Sequence, residues 1–160
     1  MTDIHDEKHP IWGDFPTSLF VEKSHLFKSL DEEGRQMILK IGVLRKFKPD
    51  EVIVREGEPG ESFYLIKHGE VVVTTEQEGK VIELARLKRG AFFGEVALLT
   101  DKPRTATCSA GHDPVEVVEF AKPAVLKVLD KYPKVKKLLD AVMRSRAKDT
   151  IEKTIGQEEE

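Results

Sequence analysis

The feature that most constrains the fold is a series of short apolar runs between Val43 and Phe120. The runs alternate in polarity or are rich in β-branched residues, as in EVIVRE, SFYLIKHG, EVVVTTE and VEVVEF. Glycine and proline punctuate them, for example at Pro49-Asp50 and Glu78-Gly79. Runs of this length and spacing are typical of an antiparallel barrel or jelly roll. We therefore expect a mostly β fold, with a jelly-roll-like antiparallel β-roll over about residues 43–120.

Helical patterns flank this region on both sides. Upstream, SLDEEGRQMILKIG has acidic residues in its first turn, with Ser29 or Asp31 as candidate N-caps. Downstream, KPAVLKVLDKY starts with Pro123 in its first turn, and apolar residues recur at helical spacing after Pro133. The patterns predict N-terminal helices, C-terminal helices over about 122–155, an N-terminal extension at 1–18 and a frayed tail at 157–160.

Bulk composition excludes several classes of function. The net charge of −3, from 26 Lys and Arg against 29 Asp and Glu, gives no overall attraction to nucleic acid or to an anionic membrane. No apolar run approaches the roughly 18 residues that a membrane span needs, and the acidic N-terminus is unlike a secretory signal. The single cysteine, Cys108, excludes an internal disulfide. We expect a cytoplasmic protein that binds neither nucleic acid nor membrane.

One segment interrupts the β pattern. GEVALLTD, from Gly94 to Asp101, is typical of one or two helical turns inserted between strands. The first amides of such a helix have no partner within the helix, and its dipole makes that end positive, so it attracts an anion. Gly94 allows close approach of the backbone, and Arg104 can meet two oxygens of one phosphate with its planar guanidinium. The segment predicts a buried site for a phosphate-sized anion.

Glu95 narrows the choice of ligand. A carboxylate beside a phosphate site repels the ligand unless it accepts hydrogen bonds from hydroxyl groups of that ligand, and a ribose 2′-hydroxyl meets this need. A single arginine without a glycine-rich lysine loop argues against a triphosphate. The combination points to a mononucleotide. The residues alone leave one alternative open, a simple ion pair between Arg104 and Glu95 at the base of a loop.

Two segments resemble a known family. FGEVALLTDKPRTATCSA, residues 93–110, resembles the phosphate-binding cassette of cyclic-nucleotide-binding domains, as found in regulatory subunits of cAMP-dependent protein kinase, nucleotide-gated channels and bacterial catabolite-activator-type regulators. GEPGESFYLIKHGEVVV, residues 57–73, resembles the family's segment of glycine turn, aromatic strand and glycine turn. The resemblance covers roughly Leu19 to Met143. It implies one domain over about 19–156, with an inserted phosphate-binding helix and C-terminal lid helices.

The resemblance also implies roles for individual residues. Arg104 would bind the equatorial oxygen of the cyclic phosphate, and Glu95 would bind the ribose 2′-hydroxyl. Glu61 occupies the position of a family carboxylate that orients the arginine, and a glutamate there is a mild departure from the pattern. The implied ligand contacts of the cassette are Gly94, Glu95, Val96, Ala97, Arg104, Thr105 and Ala106. The implied apolar wall around the base consists of Val73, Leu84, Ala85 and Leu87.

In this family the last helix folds over the base as a lid. The resemblance implies Met143, Arg144 and Arg146 as lid residues, while a solvated basic face is the alternative for the two arginines. The apolar stripe from Val135 to Ile151 fits a lid, a helix that pairs two subunits, or both. Thr105 directly follows the arginine. In the family, a threonine at this position accompanies a preference for cGMP in some members and acceptance of cAMP in others. The expected ligand is therefore cAMP or cGMP.

The leading interpretation is a stand-alone binding module without catalytic activity, metal or cofactor. It would relay a conformational change through its C-terminal helices to a protein effector or to a second copy. A cupin-like metal enzyme is an alternative, but the five histidines are scattered without metal-ligand spacing. Two further alternatives are a scaffold that keeps the fold without binding nucleotide and the sensor half of a transcription factor.

Overall fold

Eight strands lie between short helices, in a computed structural model that describes residues 24–95, 102–138 and 141. The fold class expected from the sequence is confirmed. Two helices precede the strands and a third follows them, and residues 133–138 are helical as well. In order, the elements are α1 His25–Ser29, α2 Glu32–Lys40, β1 Val43–Phe47, β2 Val52–Val54, β3 Ser62–His68, β4 Val71–Gln77, β5 Lys80–Leu87, β6 Phe92–Phe93, β7 Thr107–Ala110, β8 Val115–Ala121 and α3 Lys122–Leu129.

The strands form two four-stranded antiparallel sheets. The first has the strand order β1-β8-β3-β6, and the second has the order β2-β7-β4-β5. Strands β4 and β5 form a hairpin whose turn residues, Glu78 and Gly79, both have positive φ, at 53° and 80°. Two consecutive positive φ values match the twist of a tight hairpin, which is why glycine suits this turn.

The two sheets enclose a space that we call the roll interior. Its apolar lining comes from both sheets and includes Tyr64, Ile66, Val71, Cys108 and Val117. Alternation along each strand decides which side chains point inward. The remaining buried residues of this cluster are Val54, Phe93, Ala110 and Val115.

The opposite face of the first sheet packs against the helices. We call this second cluster the helix-facing core. It contains a group of aromatic rings, in which Phe63 stacks on Phe120 with 4.8 Å between ring centroids. Phe27 of α1 packs edge-on against Phe120 at 6.0 Å. Aliphatic residues from the three helices and from β3 and β8 complete it, namely Leu26, Leu30, Ile38, Leu39, Leu65, Val118, Val125, Val128 and Leu129.

The helix boundaries agree with their capping residues. Asp31 is the N-cap of α2, because its carboxylate Oδ1 accepts a 2.8 Å hydrogen bond from the amide of Gly34. Ser29, the other candidate, lies inside α1, which is capped instead by Ser24. Pro123 stands in the first turn of α3, as expected. Across the described residues, no helix is both long and apolar enough to span a bilayer.

Candidate functional site

Arg104 lies in the loop before β7 and is only 7% exposed. The 57–58 turn fixes its backbone on both sides. The amide of Arg104 donates to the carbonyl of Glu58 at 2.8 Å, and the carbonyl of Arg104 accepts from the amide of Gly57 at 2.9 Å. A turn that the sequence marks by Gly57, Pro59 and Gly60 therefore determines where the arginine enters the roll.

The guanidinium of Arg104 donates to two backbone carbonyls. Nη2 lies 2.7 Å from the carbonyl oxygen of Ser62, and Nη1 lies 3.3 Å from that of Gly94. The ring of Tyr64 faces the group, with 5.9 Å from the guanidinium carbon to the ring centroid. Since a guanidinium has five N–H donors, two carbonyl bonds fix its orientation and leave donors for an anion.

Burial lowers the pKa of Arg104, although the nearby Tyr64, Cys108 and Glu119 act in the opposite direction. An arginine stays protonated at neutral pH even after such a shift. The site therefore contains a positive charge that is partly removed from water, and such a charge favours an anionic ligand.

Gly94 is required where the chain approaches this guanidinium. Its φ is +89°, a conformation that L-residues with side chains rarely adopt. A Cβ at this position would lie 2.5 Å from Nη1 of Arg104 and 3.1 Å from the carbonyl oxygen of Ser62. Any side chain here would displace the arginine.

Glu95 follows Gly94, is helical and is 6% exposed. Its backbone follows directly on the carbonyl of Gly94, which accepts from Nη1 of Arg104. The pairing of the Glu95 carboxylate with the guanidinium stays a prediction. Residues 96–101, with Val96 and Ala97 and the body of the expected inserted helix, lie outside the described residues. The predicted lid residues Met143, Arg144 and Arg146 also lie outside them.

The other residues predicted from the cassette lie at the border of the site. Thr105 is exposed and Ala106 is half-buried, directly after Arg104. The side chain of Glu61 is exposed, and its charge is among the influences that raise the pKa of Arg104. The described hydrogen bonds of the guanidinium go to carbonyl groups rather than to Glu61.

The predicted apolar wall lies on the β4–β5 hairpin. Val73 pairs with Ala85, and a register shift follows directly, because Thr74 pairs with Glu83. Leu84 is the extra residue of this β-bulge. Val73 and Leu87 pack against the roll interior, and all four wall residues are half-buried.

Sequence reasoning missed two residues that contact the guanidinium and a third that bonds to both of them. These are Ser62, which contributes its carbonyl, Tyr64, which contributes its ring, and Glu119, whose carboxylate accepts from both hydroxyl groups. A signal was present in VEVVEFA, because a period of two puts Glu119 on the same face as Val115 and Val117. A carboxylate on an otherwise apolar strand face marks a site that needs explanation.

Comparisons with known proteins identify the family of the chain. The sequence profile described as the cyclic nucleotide-binding domain matches residues 44–132. A cAMP-dependent protein kinase regulatory subunit from Hypocrea atroviridis is 38% identical over 110 residues, which are 69% of this chain and 23% of that protein. A cGMP-dependent protein kinase from Plasmodium berghei is 38% identical over 91 residues, 57% of this chain and 10% of that protein. The chain thus spans less than a quarter of either relative.

Solved structures show the same fold. The catabolite activator protein of Thermus thermophilus matches with a TM-score of 0.67 and 26% identity, over 84% of this chain and 63% of that one. The regulatory domain of Toxoplasma gondii PKA, solved with cAMP, matches with a TM-score of 0.65 and 25% identity, over 79% of this chain and 48% of that one.

Within the described part of the chain, no three His, Cys, Asp or Glu residues are grouped as metal ligands.

Proposed function

We propose that this chain, which belongs to the cyclic nucleotide-binding domain family, binds cAMP or cGMP with Arg104 on the cyclic phosphate and Glu95 on the ribose 2′-hydroxyl. The observation that carries the proposal is the buried guanidinium, oriented by the carbonyls of Ser62 and Gly94. A cyclic phosphodiester has a single negative charge, which one guanidinium balances. Charge-assisted bonds of this kind are roughly twice as strong as neutral ones.

Thr105 bears on the choice between adenine and guanine. Thr105 is exposed beside Arg104, where its hydroxyl would be available to the 2-amino group of a guanine. The similar proteins named above include both a cAMP-dependent and a cGMP-dependent kinase protein. The proposal therefore covers both purines, with the half-buried wall of Val73, Leu84, Ala85 and Leu87 around the base.

We further propose that binding is relayed through the C-terminal helices. The amide of Lys122, the first residue of α3, donates to the carbonyl of Glu61 at 2.8 Å. The adjacent Ser62 accepts from Arg104. One peptide unit thus separates the guanidinium from the anchor of α3, so a ligand that moves Arg104 acts close to the start of that helix.

The remaining expectations stay predictions. They are a stand-alone module, a protein effector or second copy as partner, the absence of catalysis, a cytoplasmic location, and the lid formed by Met143, Arg144 and Arg146. The interaction-scaffold alternative differs from the proposal in one measurable respect, since it requires no nucleotide binding at all.

Isothermal titration of nucleotide-free protein tests the proposal. We expect binding of cAMP, cGMP or both, and weaker binding of 2′-deoxy-cAMP by about tenfold or more, because a hydrogen bond to a charged group contributes about 1.5–3 kcal/mol. Arg104→Met should weaken binding by about 100-fold or more, through the loss of two charge-assisted bonds.

The matched control is Arg86→Met. Arg86 is an arginine of the same roll, but it is paired with Glu70 and Glu83 on an exposed surface, so its loss should leave affinity unchanged. Absence of binding by the wild-type protein at millimolar nucleotide, or equal losses in the two arginine variants, would contradict the proposal.

A further inference from the structure

Glu119 is an inward-facing carboxylate on β8 that uses both oxygens. It lies directly opposite Tyr64 in the register of β3 and β8. Its Oε2 accepts from the hydroxyl of Ser62 at 2.7 Å and from the hydroxyl of Tyr64 at 3.2 Å. Its Oε1 accepts from Nε of Arg45 at 2.9 Å. The carboxylate thus connects two positions of β3 with the edge strand β1.

Ser62 and Tyr64, the two residues of β3 that donate to Glu119, also contact Arg104. Ser62 accepts the guanidinium with its carbonyl, and Tyr64 presents its ring to it. Glu119 therefore fixes the hydroxyl groups of both residues whose carbonyl and ring orient the arginine. Removal of the carboxylate would free both side chains at once.

A carboxylate this close to a phosphate site has an electrostatic cost. Glu119 is near enough to Arg104 for its charge to raise the pKa of the guanidinium. Burial would raise the pKa of Glu119, but hydrogen bonds from Ser62, Arg45 and Tyr64, together with the charge of Arg45, lower it overall. The group is therefore ionised at neutral pH, and an anionic ligand would meet its charge unless another cation balanced it.

We propose that Glu119 is a positioning residue for Arg104 and that Arg45 neutralises Glu119, which keeps the charge of Arg104 available for the phosphate. This inference rests on the proposed function. An ordinary ion pair between Arg45 and Glu119 would at most stabilise the fold slightly, because exposed ion pairs contribute little to stability. It would have no effect on ligand affinity, and that difference makes the two interpretations separable.

The first test compares three variants by titration with cAMP. Glu119→Ala should weaken binding by about tenfold, since two bonds to a charged group that orient β3 are lost. Glu119→Gln keeps an acceptor oxygen for Ser62 and Tyr64, so it should bind within about threefold of wild type. Glu116→Ala is the matched control, because Glu116 is on the same strand and its carboxylate forms long ion pairs with Lys46 and Lys67, at 3.9 Å. It should bind like wild type.

The second test isolates the electrostatic part. Arg45→Met leaves the charge of Glu119 unbalanced and should weaken binding by about threefold to tenfold, with a smaller loss at high salt. Adding Glu119→Gln to Arg45→Met should restore affinity, which a purely structural role of Arg45 would not predict. Lys46→Met, the next residue along β1, serves as the control and should bind like wild type.

The outcomes separate this inference from the proposed function. Lack of binding by wild type contradicts the proposed function. If wild type binds, Arg104→Met does not, and Glu119→Ala binds like wild type, the inference alone is wrong. Failure of the double variant to recover affinity also overturns it. If thermal melting shows that Glu119→Ala is unfolded, Ser62→Ala replaces it, with an expected loss of about threefold and unchanged affinity as the contradicting result.

Discussion

The two faces of strand β3 differ in what they contribute. Phe63 and Leu65 point into the helix-facing core, and both are 0% exposed. Ser62 and Tyr64 alternate with them and point into the roll interior, where they contact Arg104 and Glu119. Phe63 and Leu65 bury only hydrocarbon, and Ser62 and Tyr64 carry the groups that orient a charge.

The difference teaches how a small domain separates stability from binding. Apolar burial is non-directional, so the helix-facing core can be built from aromatic rings that need only to pack closely. Orienting a buried guanidinium requires directional bonds, so the roll interior uses a carbonyl, a ring and a carboxylate. Variants on the two faces should therefore fail in different ways.

The largest effect should follow a change in the helix-facing core. Phe27→Ala removes a 1% exposed ring from the aromatic group and should lower the free energy of unfolding by about 3–5 kcal/mol. Urea unfolding measures this loss, and titration below the transition measures affinity. We expect cAMP affinity within about twofold of wild type. A parallel loss of affinity would show that the two faces are not separate.

A change at Gly94 should lower affinity more than stability. Gly94→Ala puts a Cβ 2.5 Å from the flexible end of Arg104, so the guanidinium must move. Affinity should fall by about tenfold or more, while stability falls by only about 1–2 kcal/mol from the positive φ. Gly79→Ala is the matched control, because Gly79 has a φ of +80° with nothing within 4 Å of the added Cβ. Gly79→Ala should lower stability by a similar amount, through the strain of the positive φ, and should leave cAMP affinity unchanged.

A third effect concerns alkaline stability, which depends on the roll interior. Burial raises the pKa of Cys108 to about 12. Above about pH 8.5, where an unfolded thiol ionises, the unfolded state loses a proton that the folded state retains. Stability contributed by the neutral thiol is therefore complete below that pH and declines above it, by up to about 1.4 kcal/mol per pH unit.

Cys108→Ala should remove this decline. Urea unfolding at pH 7, 9 and 10 measures the free energy of unfolding of wild type and of Cys108→Ala. The difference between the two free energies should narrow as the pH rises. Parallel stability curves for the two proteins would contradict the assignment of the pH dependence to Cys108.

The sequence predicted the β-roll, the flanking helices and the approach of Gly94 to Arg104, because periodicity and local motifs depend on residues that are close together in the sequence. It did not predict the contacts of Ser62 and Glu119. Those depend on the register between β3 and β8, which is set by the whole sheet. The bulge at Leu84 was missed for the same reason, since nothing in the local pattern specifies where an extra residue is inserted.

A structure determined with bound cAMP would test the central claim most directly. The account predicts a phosphate oxygen within about 3 Å of a guanidinium nitrogen of Arg104, with the ribose 2′-hydroxyl on Glu95. A separate groove of about 300 Å³ lies on the second sheet and is lined in part by Thr74, Arg86 and His112. Nucleotide bound in that groove, with Arg104 still bonded only to Ser62 and Gly94, would contradict the account.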